Sequence, residues 1–342
     1  MSNDSDTNVS SLKPKDDSLV RVLSADGDKI IGDMPPLDDA ALVSLYAEMF
    51  RSRRIGERMV NLQRQGRVHT TATMAGEEAA IVGSLAALNI SDWVVPSYRE
   101  RWAVTRFPPE RLLPDAVSLA TQLPYAVGLA WGLRLKKKEG CVLAYFGEGS
   151  SSEGDFYEAG NLAGVVKAPM VFFCRNNGWA ISVPVSAQTA ADNFAIKANA
   201  FGFPGVRVDG MDALAVWSVT REALDRARRG LGPTLIEAVA YRYGGHTTAD
   251  DPQRYRSQEE LESWQKRDPI TRFKNFLTAR NLWDPLLEEK ITEEANAWVE
   301  ARITTPAPAP GTIFDHVFDE LTPRMRRQQI EMQELIDGEK RQ

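Results

Sequence analysis

The sequence predicts an α/β protein: a parallel sheet flanked by helices, with an N-terminal extension and a helical C-terminal region. Three observations carry this. Short apolar runs recur at Cys141–Phe146, Met170–Cys174, 206–208 and 234–243. Stretches of helical periodicity separate them, notably 155–166 and the segment from Asp212 to about Gly230. Strand, helix, strand, helix at this spacing means parallel pairing through right-handed crossovers.

Residues 1–18 are rich in Ser, Asp and Lys and poor in apolar residues, the composition of a disordered tail. Leu19–Leu23 and Ile30-Ile31 flank Asp26-Gly27, which suggests a small hairpin. Pro35-Pro36 ends this extension, set at 1–36. Asp38 is placed to cap a helix running to about Gln65, with Leu42, Leu45, Met49, Ile55, Met59 and Leu62 at helical spacing and Gly66 as its stop. The α/β domain is expected over 37–304. Beyond it, Pro306-Ala-Pro308-Ala-Pro310 reads as a stiff linker to a helical tail over 305–342.

Composition narrows the function. Of 342 residues, 43% are hydrophobic and 26% charged, ordinary for a chain that buries its own core. Forty-one basic against 47 acidic residues give −6, which argues against nucleic acid as a partner. Cys141 and Cys174 both lie in apolar runs, offering neither a disulfide framework nor a thiolate cluster. No stretch reaches the ~18 apolar residues of a membrane span, and the polar N-terminus has no signal-peptide character. A cytoplasmic protein, without a membrane partner, is expected.

The chemistry concentrates between Gly147 and Ser182. Gly147-Glu148-Gly149 follows one apolar run and Asn176-Asn177 the next, so Glu148 and Asn177 would face one crevice outside the carboxyl ends of adjacent strands. A carboxylate and an amide oxygen are hard ligands, suited to Mg²⁺ or Ca²⁺. Two such side chains leave a cation short of ligands, a vacancy that Mg²⁺ fills with water and phosphate oxygens. The glycines beside Glu148 would let backbone approach a diphosphate, and a helix start near Asp155 adds a positive dipole end. Either piece alone is a common turn. Together, with 26 residues between Gly149 and Asn176, they match the thiamine-diphosphate fingerprint.

The whole passage GEGSSSEGDFYEAGNLAGVVKAPMVFFCRNNGWAIS resembles the E1 α subunit of 2-oxo acid dehydrogenase complexes, the family of the pyruvate and branched-chain enzymes. So do VPSYRE (95–100), ATQLPYAVGLAW (120–131), VRVDGMDALAV (206–216) and YRYGGHTTADDPQRYR (241–256). The resemblance runs from about Leu37 to Leu321 and implies the thiamine-diphosphate-binding fold. It implies that Glu148, Asn177 and the backbone carbonyl of Trp179 coordinate Mg²⁺. Tyr98, Arg99, Leu119, Gly147, Gly149, Ser150, Arg175, Asn177 and His246 would hold thiamine diphosphate, with His246 near the reacting carbon as the catalytic residue. Ser118, Thr121 and Gln122 align with a monovalent-cation site of the branched-chain enzymes, and Thr247 with a regulatory phosphorylation site of animal relatives. Asp250, Asp251, Arg254 and Arg256 would pin the His246 loop through ion pairs.

In that family the cofactor serves as electron sink for loss of CO₂ from a 2-oxo acid, and the acyl fragment passes to the lipoyl domain of the E2 acyltransferase. The glutamate that protonates the aminopyrimidine ring lies on the E1 β subunit, so an α₂β₂ heterotetramer is implied. One departure stands out: only 17 residues, Glu100 to Ala116, bridge an interval that relatives fill with several helical turns and a glycine-rich loop. A more open pocket is expected there. Three other readings stay open. An acetoin-cleaving α subunit shares the motifs, and a non-catalytic relative could have kept the fold. A nucleotide-binding dehydrogenase would need a third glycine that Gly147-Glu-Gly149-Ser-Ser-Ser lacks.

Overall fold

A computed structural model describes residues 19–304 and 308–339; the expected disordered tail, 1–18, and the start of the proline linker lie outside the described residues. The chain divides into two compact units, Met1–Val299 and Glu300–Gln342. In chain order the first contains α1 (Asp39–Arg64), α2 (Glu78–Ala86), β1 (Trp93–Val95), α3 (Gln122–Leu135), β2 (Val142–Gly147), α4 (Gly154–Val165), β3 (Met170–Asn176), β4 (Trp179–Ala180), β5 (Val183–Pro184), α5 (Val185–Gln188), β6 (Gly205–Asp209), α6 (Ala213–Arg228), β7 (Thr234–Val239), α7 (Gln258–Gln265), α8 (Pro269–Ala279) and α9 (Pro285–Ile303). The division falls inside α9. In the second unit a 3-10 turn, Pro310–Phe314, lies against α10 (Pro323–Glu339).

The main sheet is parallel throughout, in the order β1-β2-β3-β7-β6. β2 and β3 at its centre are apolar up to their carboxyl ends because both faces are covered. Alternate side chains Val142, Ala144, Phe146, Met170, Phe172 and Cys174 pack with α3 and α4. The intervening ones point the other way, where Tyr145 meets Phe173 and its hydroxyl bonds Ser84 of α2 at 2.6 Å. The register sets Gly147 beside Arg175 and Arg175 beside Ala238, which brings the ends of β2, β3 and β7 to one rim.

Two expectations change. β7 stops at Val239 rather than Tyr243, since Ala240 N bonds the Asn176 carbonyl and Tyr243 N that of Ala75, carrying the chain off the sheet toward the rim. The segment from Val20 onward, expected within a flexible extension, is built into the unit. Val22 N and Leu23 N donate to buried Asp212 at 2.8 and 2.7 Å, and Val20 bridges Val208. The Asp26-Gly27 turn exists, closed by a single Leu23–Ile30 bridge rather than by strands. Among the described residues no helix is long and apolar enough to cross a membrane.

Candidate active site

A cleft of about 470 Å³ opens outside the carboxyl ends of β2 and β3. Tyr98, Arg99, Leu119, Gly147, Glu148, Gly149, Ser150, Arg175, Asn177, Trp179 and His246, the cofactor and metal residues expected from sequence, all line it. Ser118, Gln122 and Thr247 line it too; Thr121 does not, and its hydroxyl bonds the Ser118 carbonyl at 3.0 Å.

Glu148 begins the turn after β2 and is 1% exposed. Its Oε2 accepts from Asn177 N at 3.3 Å, while Oε1 has no hydrogen-bond partner among the described residues. Burial pushes this carboxyl above the ordinary glutamate range, and the charge of Glu77 pushes it further. A buried, unpartnered carboxylate oxygen is costly unless something fills its place. A divalent cation would do so and reverse the shift. Among the described residues no group of three His, Cys, Asp or Glu side chains could hold a metal. A cation beside Glu148 would therefore draw on amide and carbonyl oxygens and on phosphate, the donor set that Mg²⁺ takes. The Trp179 carbonyl, expected as one of these, accepts from Arg242 Nη1 at 3.2 Å and keeps a second lone pair. Gly149 cannot be larger: a Cβ there would stand 2.7 Å from that of Ala180.

Arg175 is held by three partners: Glu77 at 2.7 Å, Ser97 Oγ at 3.1 Å and the Glu100 carboxylate. Each terminal nitrogen carries a second N–H, as a diphosphate clamp requires. Arg99 bonds the Thr73 carbonyl at 2.6 Å and the His246 carbonyl at 3.1 Å, which ties the loop after β7 to the cleft floor. Tyr98 approaches His246 edge-on, its hydroxyl 3.3 Å from Nε2. Burial, then the positive charges of Arg99 and Arg242, lower the His246 pKa to about 4, so its ring is neutral at physiological pH.

The loop's ties differ from the expected ion pairs. Asp250 accepts from His246 N and from Tyr255 OH, both at 2.5 Å. Arg256 donates to the carbonyls of Arg242, Tyr243 and Gly244. Asp251 caps the Pro252–Arg254 turn through Gln253 N. Apart from the Asp250–Tyr255 bond these ties run to backbone, because a loop without apolar burial must satisfy its own carbonyls and amides.

The shortened interval forms three 3-10 turns, Glu100–Trp102, Val104–Arg106 and Pro109–Arg111, followed by bridges from Leu112 to Val94 and Ala116 to Ser97. It returns along β1 and leaves Val117 74% and Leu119 44% exposed at the cleft's edge. Sequence reasoning missed Glu77, Ser97, Glu100 and Arg242. Only Glu77 had a signal: the Glu77-Glu78 pair opens a helix otherwise apolar on all sides, so those carboxylates had to be buried.

A comparison with protein families matches "Dehydrogenase E1 component" at residues 46–107 and 105–310. The chain belongs to the dehydrogenase E1 component family. The two matched pieces join at 105–107, within the shortened interval. The chain is 41% identical over 321 residues to the 3-methyl-2-oxobutanoate dehydrogenase subunit alpha of Mycobacterium tuberculosis, covering 86% of this chain and 88% of that one. It is also 41% identical over 308 residues to the pyruvate dehydrogenase E1 component subunit alpha of Staphylococcus aureus, covering 83% of each. With the corresponding subunit of Staphylococcus epidermidis it shares 37% over 337 residues and 91% of each chain. As an E1 component, this chain has its thiamine-diphosphate fingerprint at the floor of the cleft outside β2 and β3.

Proposed function

We propose that this chain is the α subunit of a thiamine-diphosphate-dependent 2-oxo acid dehydrogenase E1. It acts on pyruvate with a β subunit in an α₂β₂ assembly and delivers the acyl group to lipoyl-E2 in the cytoplasm. The observation that supports this most is the unpartnered Glu148 Oε1 beside Asn177, at adjoining strand ends, in a cleft that also presents Arg99 and Arg175. Those groups fit a Mg²⁺ diphosphate: oxygen ligands for the ion, planar guanidinium forks for the phosphates.

Bound thiamine diphosphate supplies the electron sink for decarboxylation. The chain's own residues do the rest of the holding. Glu148, Asn177 and the Trp179 carbonyl would take the metal. Arg99 and Arg175 would take the diphosphate, and neutral His246, aligned by Tyr98, can donate or accept one proton at the cleft mouth.

Branched-chain 2-oxo acids are the second reading, favoured by the mycobacterial relative at equal identity. Asn177→Ala tests the site. Calorimetry with the β subunit present should show thiamine-diphosphate affinity falling at least tenfold at fixed Mg²⁺, with circular dichroism unchanged. Unaltered affinity would remove the assignment. Comparing kcat/KM for pyruvate and 3-methyl-2-oxobutanoate on the assembled protein decides the substrate.

A further inference from the structure

Glu77 is a fully buried carboxylate at the start of α2 that no step above uses, and three residues assigned to the cofactor converge on it. Arg175 Nη1 lies 2.7 Å from its Oε2, Arg99 Nε 3.6 Å from its Oε1, and Asn177 Nδ2 donates to Oε1 at 3.0 Å. Its place is tightly set. Gly76 before it has φ +92°, and a Cβ there would run into the Tyr241 carbonyl at 2.1 Å.

We propose that Glu77 is a positioning residue that orients the amide of Asn177, so that its oxygen and not its NH₂ can face the metal position beside Glu148. An asparagine amide is nearly symmetric in shape, yet only its oxygen binds a hard cation. Something must choose between the two orientations. An ionised carboxylate accepts and never donates, so Glu77 admits only Nδ2. On the opposite side Trp179 N donates to Oδ1 at 3.3 Å, which admits only oxygen. The reversed amide would set oxygen against Glu77 and NH₂ against the Trp179 N–H, two repulsions in a dry site. Arg175 and Arg99 keep Glu77 in its acceptor form while it compensates their charge.

This rests on the proposed Mg²⁺–thiamine-diphosphate function. Its test measures metal binding rather than turnover. The chain, purified with its β subunit, is titrated with Mg²⁺ at fixed thiamine diphosphate in a calorimeter. Glu77→Gln and Glu77→Met both remove the charge, but only glutamine keeps an oxygen that can accept from Nδ2. The half-saturating Mg²⁺ concentration of Glu77→Met should be at least tenfold above that of Glu77→Gln. In an Asn177→Asp background, whose two oxygens need no orienting, that gap should shrink below threefold. Equal values for the two single variants, or a gap that persists with Asp at 177, would overturn the proposal. If Glu77→Met does not fold, Glu77→Asp takes its place against wild type with the same thresholds, since it keeps the charge and withdraws the acceptor by one methylene. Wild-type protein that shows no Mg²⁺-dependent cofactor binding at all would instead overturn the function itself, a different and recognisable result.

Discussion

His246 shows how far surroundings set the chemistry of a single residue. Its ring faces Tyr98 and lies near the guanidinium groups of Arg99 and Arg242, with Asp250 and buried Glu77 as the opposing charges. Burial and the two arginines win, and the pKa falls from 6.5 to about 4. An unfolded chain would therefore protonate this histidine first as pH falls. Its effect is absent above about pH 6.5, destabilises the fold progressively down to pH 4, and levels off below. His246→Gln should flatten the loss of stability between pH 6.5 and 4, seen as a smaller drop in urea midpoint across that window; an unchanged slope would mean the ring is already charged. At this scale Glu148 and Asn177 were legible in the sequence because each follows an apolar run that ends at the crevice. Glu100 and Arg242 were not, and Glu77 was legible only as a carboxylate that had to be buried. Their roles come from partners distant in sequence, such as Arg175, 98 positions from Glu77, and no local pattern encodes such a pairing.

Two helix caps written with the same residue type differ widely in energy. Asp38 caps α1 from an exposed site by accepting from Ala41 N, the single contact that its position announces. Asp212 caps α6 through Leu214 N and Ala215 N, and also accepts from Val22 N and Leu23 N and faces Arg272 at 3.4 Å, wholly buried. Asp38→Ala should cost about 1 kcal/mol, the usual value of an N-cap. Asp212→Ala should cost about 3–5 kcal/mol, because it leaves a buried arginine with one partner fewer and takes the acceptor from four backbone amides. Urea denaturation of the two variants separates them, and equal losses would show that the anchoring of the N-terminal segment adds nothing. Both caps could be placed from sequence, as could α1, α4, β2 and β3 within two or three residues. Other elements escaped, β1 and α2 among them. β1 has three residues, too few to show a period, and α2 is buried on every side, so it lacks the amphipathic contrast that marks a helix.

For the molecule as a whole, the cleft is furnished for holding a cofactor and poorly furnished for reacting with it. Among the described residues lining it, Glu148 is the single carboxylate, and its fit to a metal leaves it unavailable as a proton donor. Glu77 and Glu100 are buried beneath, each paired with Arg175. On the proposed function a glutamate must protonate the aminopyrimidine ring, and Glu148 is not placed for it, so the β subunit is expected to bring that acid. The rim agrees with this: Val117, Leu119 and Ile181 stand 74%, 44% and 53% exposed around the opening, apolar surface that a partner would cover. The isolated chain should thus release no measurable CO₂ from pyruvate or 3-methyl-2-oxobutanoate, even at saturating thiamine diphosphate and Mg²⁺. Adding the β subunit should raise the rate at least a hundredfold, the lower end of what a positioned general acid contributes. Replacing Val117 with Lys, which leaves every cleft group described here in place, should weaken that rescue by raising the β concentration needed for half-maximal rate. Full turnover by the chain alone would show that one of its own residues supplies the proton and that the partner is not required.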